Sequence, residues 1–258
     1  MSRLRTSLTA TAALLVGAAL ASTPWAGATA TAGHAGSGSG RVLPAAAGAG
    51  GLDPADFTAP VQNPYFPLVP GTVSKYRGTD EGESFHETLT ITDQTKTILG
   101  VRATVVRDVM RRADGTPSEK TTDWYAPDNA GNVWYLGEET ATYDENGKLE
   151  SRKGTWQAGE DGAVAGLIMP ADPGPTDAYR QELRRGHAED QAWIVARRHG
   201  TIRLPYGKVD GALRSFEWTR LEPGVISMKI YGKGLGIVRE RDVAGGDEKF
   251  DLVSVTHP

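Results

Sequence analysis

Beyond residue 71, apolar and polar side chains alternate with a period close to two. Leu89 and Ile91 alternate with Thr88, Thr90 and Thr92, and Val101, Ala103 and Val105 alternate with Arg102 and Thr104. Ile226, Met228 and Ile230 alternate with Ser227 and Lys229. Each run predicts a strand with one buried and one wet face. Turn signals separate the runs: Asp114-Gly115, Asp128-Asn129-Ala130-Gly131, Asn146-Gly147, Pro223-Gly224 and Gly245-Gly246. Asn-Gly between alternating segments is a strong hairpin signal. Turn spacing is irregular and no repeat unit is visible. The expected fold is mostly β, an antiparallel meander forming a barrel or half-barrel that hides its sheet edges.

Residues 176–199 fit this pattern least well. They are rich in Ala, Gln, Glu, Leu and Arg, yet Gly186 interrupts the run and Trp193-Ile194-Val195 favours strand. Two strands around Gly186-His187-Ala188 are expected there, with one short helix in 176–199, capping the barrel, as the alternative. Residues 63–71 hold three prolines, at 64, 67 and 70, and cannot be helical. Tyr65, Phe66, Leu68 and Val69 in that segment are placed to plug the end of a core.

The start of the chain reads differently. Arg3 and Arg5 precede an uncharged, mostly apolar stretch from Leu8 to Ala21, then small residues alternate at Ala26-Gly27-Ala28 and Ala28-Thr29-Ala30. This order predicts a secretory signal peptide over residues 1–30, cleaved after Ala28 or Ala30. The apolar stretch is shorter than the roughly 20 residues of a membrane-spanning helix. Residues 31–52 are mostly Gly, Ala and Ser, the composition of a flexible tether. A single β domain is expected over 53–258. A secreted, extracellular location follows, with no integral membrane segment in the mature form.

Composition narrows the chemistry. The chain has no cysteine, which removes disulfides, thiolate metal sites and cysteine nucleophiles. Its formal net charge is -4, and loss of Arg3 and Arg5 makes it more negative. An acidic chain is a poor partner for nucleic acid or an anionic membrane.

Three motifs carry a resemblance: Asn63-Pro64-Tyr65-Phe66-Pro67-Leu68-Val69-Pro70-Gly71, Asp123-Trp124-Tyr125-Ala126-Pro127-Asp128, and Gly131-Asn132-Val133-Trp134-Tyr135-Leu136-Gly137-Glu138. With them the chain resembles a family of largely uncharacterised secreted bacterial β-rich proteins, from about Phe57 to Val255. The resemblance implies a β-rich exported domain and brings no activity. A distant likeness to half-barrel periplasmic lipoprotein carriers rests on architecture alone.

No catalytic fingerprint is present. There is no Gly-x-Ser-x-Gly elbow, His-Glu-x-x-His, P-loop or dinucleotide motif, and Gly232-Lys233-Gly234-Leu235-Gly236 reads as a bulged turn between strands. His187, Glu189 and Asp190 form a possible metal-ligand group that needs a third ligand from elsewhere, such as His86; a solvated acidic loop explains it as well. Asp128-Asn129 and Glu138-Glu139 could offer oxygen ligands, without EF-hand spacing. Asp123, Glu138, Glu139 and Glu217 stand beside aromatic residues, as carboxylates of a glycosidase would, but a carboxylate pair acquires meaning only from geometry.

The densest signal is aromatic. Trp124, Tyr125, Trp134 and Tyr135 occupy two strands joined by the turn at Asp128, and each adjacent pair must send one ring inward and one outward. Core packing explains the inner rings; a ligand surface in a barrel explains them too. These four are the candidate ligand-binding residues, with no catalytic residue, no cofactor and no assigned metal. The expected function is that of a secreted non-enzymatic binding protein for an apolar or amphipathic small molecule or for an extracellular protein. A secreted hydrolase acting on a glycan or ester, and a scaffold module with a packed core, are the alternatives.

Overall fold

The computed structural model describes residues 51–197 and 200–258. The expected signal peptide and most of the expected tether lie outside the described residues. A short 3-10 turn at Pro54–Phe57 precedes seventeen strands: β1 Val73–Asp80, β2 Glu83–Ile98, β3 Val101–Arg112, β4 Pro117–Pro127, β5 Val133–Tyr143, β6 Leu149–Ser151, β7 Trp156–Gln157, β8 Val164–Met169, β9 Ala178–Arg180, β10 Glu182–Leu183, β11 Asp190–Arg197, β12 Ile202–Leu204, β13 Gly207–Val209, β14 Leu213–Thr219, β15 Ile226–Gly232, β16 Gly236–Ala244 and β17 Lys249–Thr256.

Thirteen of these strands follow one antiparallel path, β10-β8-β5-β4-β3-β2-β1-β17-β16-β15-β14-β11-β9, with β6 and β7 added on β5 and a separate β12-β13 hairpin. The sheet is a nearly closed barrel. Its seam is a single stretch of chain: β9 pairs with β11, and β10, one residue later, pairs with β8. The expected β barrel is therefore present. No helix forms over residues 176–197: β9 and β10 lie before the turn at Gly186, and β11 lies after it. The strand-favouring Trp193 and Ile194 sit in β11, where Ile194 is fully buried.

Turn chemistry falls where the sequence places it. Asp114-Gly115 joins β3 to β4, and Gly147 joins β5 to β6 with a positive φ that favours glycine. Gly137 serves a different purpose. It lies in β5 with φ 141°, and a Cβ there would stand 2.4 Å from the Trp156 carbonyl oxygen. Its lack of a side chain lets β7 pair with β5 beside a register shift between Trp124 and Tyr125.

The pattern of faces departs from expectation. Ile230 is buried and Met228 half-buried, but they share a face with Phe216 and Arg214 of β14. The residues between them, Lys229 and Tyr231, are buried on the other face, where both meet Glu217. The inner wall of β15 is thus the one that alternation marks as wet. On β3, likewise, Val101, Ala103 and Val105 lie on the face opposite Val106, Asp108 and Met110, and all six are buried. The 3-10 turn packs beside β3, and Phe57 adds to the apolar cluster.

Candidate functional site

The inner wall of the barrel is built by cross-strand rows. Tyr76 pairs with Glu87, Glu87 with Met110 and Met110 with Glu119. A second row runs through Leu89, Asp108, Thr121 and Thr140, and a third through Ile91, Val106, Asp123 and Glu138. Carboxyl side chains thus recur on the inner face of neighbouring strands. Glu87, Asp108, Glu119, Asp123, Glu138, Glu182, Glu217, Glu240 and Glu248 are all buried. Among the described residues, Lys229 is the one buried lysine or arginine.

Lys229 explains part of this acidity. Its Nζ lies 3.0 Å from Glu217 Oε2 and 3.5 Å from Glu240 Oε1. Burial pulls the Glu217 carboxyl upward, but Lys229 and hydrogen bonds from Ser215 and Gln181 outweigh it and hold Glu217 below the usual range. Burial likewise opposes the charge on Lys229, and Glu217 and Glu240 overcome it. The opposite wall has no such cation. Burial pushes Glu119 up to about 8, with Asp108 adding repulsion, and Asp123 is also pushed up to about 8 although Tyr135 donates to it. Burial raises Glu87, Glu138 and Glu182 well above the usual range, reinforced by neighbouring carboxyls. Burial and mutual repulsion thus favour the protonated form of these groups.

One end of the barrel changes character. Residues 63–71 fold across it, held by Asn63. The Asn63 Nδ2 donates to the carbonyls of Gly131 and Pro170, each at 2.8 Å, and its Oδ1 accepts from the amides of Tyr65 and Phe66. Beneath this strap lies a narrow slot. Phe66, Leu68 and Val69 of the strap, Leu89, Ile91 and Val106 of the wall, Leu235 of the β15–β16 turn and Ile237 of β16 line it. Thr72, Ser74, Tyr76 and His257 are the polar side chains at its surface. The Tyr76 hydroxyl donates to the Ile237 carbonyl at 3.0 Å.

The four aromatic candidates separate. Tyr125 and Tyr135 are fully buried and stack at 4.7 Å between centroids. Phe66 meets Tyr125 edge-on, and Trp156 meets Tyr135 edge-on, so an aromatic column runs inward from the strap. The Tyr135 hydroxyl donates to Asp123 Oδ1 at 2.7 Å. Trp124 faces elsewhere: Lys96 Nζ lies 3.3 Å from its ring centroid, beside a surface cleft that also includes Arg152 and Arg184. Trp134 is half-buried, and its indole N–H donates to Asp128 Oδ2 at 2.9 Å. None of the four lines the slot.

The acidic candidates separate as well. Asp123 and Glu138 oppose each other across β4 and β5 but are fully buried, whereas Glu139 is exposed and pairs with Arg152. Glu189 accepts from the Gly186 amide. Among the described residues, no group of three His, Asp or Glu side chains converges as a metal ion requires. Sequence reasoning assigned none of the slot residues to a binding site. Proline placement marked the strap as an end plug, but nothing local marks Leu235 and Ile237 as its partners.

No family model matches the chain, and no curated protein matches it. Among solved structures, the chain is similar to a protein of YmcC-like fold from Bacteroides fragilis, provisionally described as exported, at 13% identity and a TM-score of 0.44, covering 74% of this chain and 98% of that one. It is also similar to a protein from Parabacteroides distasonis, provisionally described as a lipoprotein, at 13% identity and a TM-score of 0.41, covering 76% and 100%.

Proposed function

We propose that this chain is an exported, non-enzymatic binding protein whose slot beneath the strap takes the apolar part of a small amphipathic molecule. The slot carries the reading. Its wall is mostly aliphatic and aromatic, and its few polar groups sit among Thr72, Ser74, Tyr76 and His257. Its narrow, concave form suits an alkyl chain or a slim ring system better than the broad face of another protein. A hydrolase would need its carboxyl pair open to substrate, and Asp123 and Glu138 are sealed from solvent.

The test is a fluorescence titration of the secreted chain with N-phenyl-1-naphthylamine, a neutral apolar probe that brightens in apolar sites. Saturable enhancement is expected at micromolar probe. Ile91→Phe and Ile237→Phe, which fill the slot from two walls, should abolish it while the thermal midpoint moves little. A chain that never enhances the probe, or one whose enhancement survives both fillings, overturns the reading.

A further inference from the structure

The outer wall of the barrel carries an apolar row open to solvent. Glu217 and Lys229 face inward, so Phe216 and Met228 beside them face out. Trp193 of β11 pairs with Phe216 of β14, and Phe216 with Met228 of β15. Trp218 lies two residues beyond Phe216 on the same face and Ile226 two residues before Met228, so the antiparallel register sets them side by side. Trp193 is 41% exposed and Ile226 37%, and the other three are half-buried. Single exposed apolar side chains are ordinary, but five side by side on three strands mark a contact surface.

Basic side chains surround the row. Met228 pairs with Arg241, and Arg241 with Lys249. Toward the other edge Trp218 pairs with Gln191, and Gln191 with Arg180. Arg214 precedes Phe216 on the same face. Among the described residues, the outward positions of β9 and β14–β17 hold these four cations, Arg239 and one acid, Asp251, which pairs with Arg239 and Arg241. The formal net charge of -4 counts the carboxyls enclosed in the barrel together with those outside it, so it is not the charge this wall presents.

We propose that this wall docks on an anionic lipid surface, its apolar row at the depth of the headgroups and its cations on the lipid phosphates. Tryptophan and aliphatic side chains ringed by arginine and lysine suit the boundary between water and an anionic bilayer. The geometry disfavours a protein partner. β11, β14 and β15 have neighbours on both edges, so no incoming strand can pair with them. The outer wall of a nearly closed barrel is convex and offers no groove to a helix, whereas a fluid lipid surface conforms to it. Docking here does not depend on the slot being a binding site.

Co-sedimentation of the secreted chain with vesicles tests the proposal. Vesicles of phosphatidylcholine with phosphatidylglycerol should bind it about tenfold or more tightly than vesicles of phosphatidylcholine alone, and added salt should weaken the binding. Tryptophan emission should shift to the blue on binding. Trp193→Ala with Trp218→Ala should lower the affinity about tenfold or more; if that variant does not fold, Trp193→Ser alone is read in the same way. Arg180→Gln with Lys249→Gln should reduce the preference for phosphatidylglycerol while the thermal midpoint holds. The slot-filling variants Ile91→Phe and Ile237→Phe should bind vesicles as the parent does. Equal binding to both vesicles, binding to neither, or binding that survives the tryptophan and cation substitutions overturns the proposal. A chain that ignores vesicles and forms a dimer dissociated by Trp193→Ser assigns the wall to a second copy and overturns it as well.

Discussion

Glu217 meets Lys229 at 3.0 Å inside the barrel, where both side chains are almost fully enclosed. A buried pair is a weak source of net stability, but breaking it strands a charge. Lys229→Met keeps the length of the side chain and removes the ammonium. It should lower the unfolding free energy by about 3 to 5 kcal/mol, read by urea denaturation at pH 7. Adding Glu217→Gln should recover part of that loss. A single variant as stable as the parent would mean that Glu217 is protonated in the folded chain.

Stability should fall as pH rises. Glu119 and Asp123 are raised by burial to about 8, from ordinary values near 4, so between those limits the folded chain binds more protons than the unfolded one. Their contribution is fully present below the ordinary carboxylate range and is lost as pH climbs through 8. Glu217 acts in the opposite sense, losing its pairing with Lys229 as pH drops below its depressed value. The thermal midpoint should therefore peak at mildly acidic pH and decline toward pH 8. Glu119→Gln should flatten the decline and stabilise the chain by about 2 kcal/mol or more at pH 8. A midpoint that rises from pH 5 to 8 contradicts the assignment.

Tyr135→Phe removes a hydroxyl and little else. Asp123 Oδ1 then loses its 2.7 Å donor in a site closed to water. The expected loss is about 1 to 3 kcal/mol, larger at pH 9 than at pH 6, because the ionised form of Asp123 depends on that hydrogen bond more than the acid does. Tyr125→Phe is the comparison. Its hydroxyl lies near Asp123 and Tyr135 without well-formed hydrogen-bond geometry, so that substitution should cost less than Tyr135→Phe. Equal losses for the two tyrosines would count against the distinction.

Asn63→Ala should release the strap. Four hydrogen bonds to backbone groups end at this one buried amide. Loss of about 2 to 4 kcal/mol is expected, with a measurable rise in the rate at which N-phenyl-1-naphthylamine leaves the slot, by stopped flow. An unchanged release rate would show that the strap does not control access.

Much of the fold can be read from local pattern because strand and turn chemistry are local. Asp128 shows this: it joins β4 to β5 and accepts from the amides of Ala130 and Asn132 and from the Trp134 indole. The lumen is less legible. Alternation assigns polar positions to solvent, so Lys229 reads as a wet-face residue, and only closure of the sheet turns it inward. The apolar position beside it, Met228, remains half-covered on the outside. For the aromatic pairs, parity required one ring on each side. On β4, Tyr125 follows Asp123 on the inner face, and the register shift between Trp124 and Tyr125 brings Tyr135 opposite it. The slot lies still further from local pattern, since its walls come from segments some 170 residues apart in the chain, Phe66 and Ile237 among them.

The first strand of the barrel pairs with the last, Val73 against Thr256 through Thr79 against Lys249. That ladder sets an order in time. While the chain is being made or threaded from its N-terminus, β1 has β2 for a neighbour but no partner on its other edge until β17 has emerged. Closing so long a loop carries its entropic cost before any of the contacts that offset it exist. Every partly emerged chain thus carries a bare sheet edge and an uncovered acidic wall. The wall's charge, while it is still hydrated, keeps such chains apart from one another, which gives the buried carboxyls a use before they are buried.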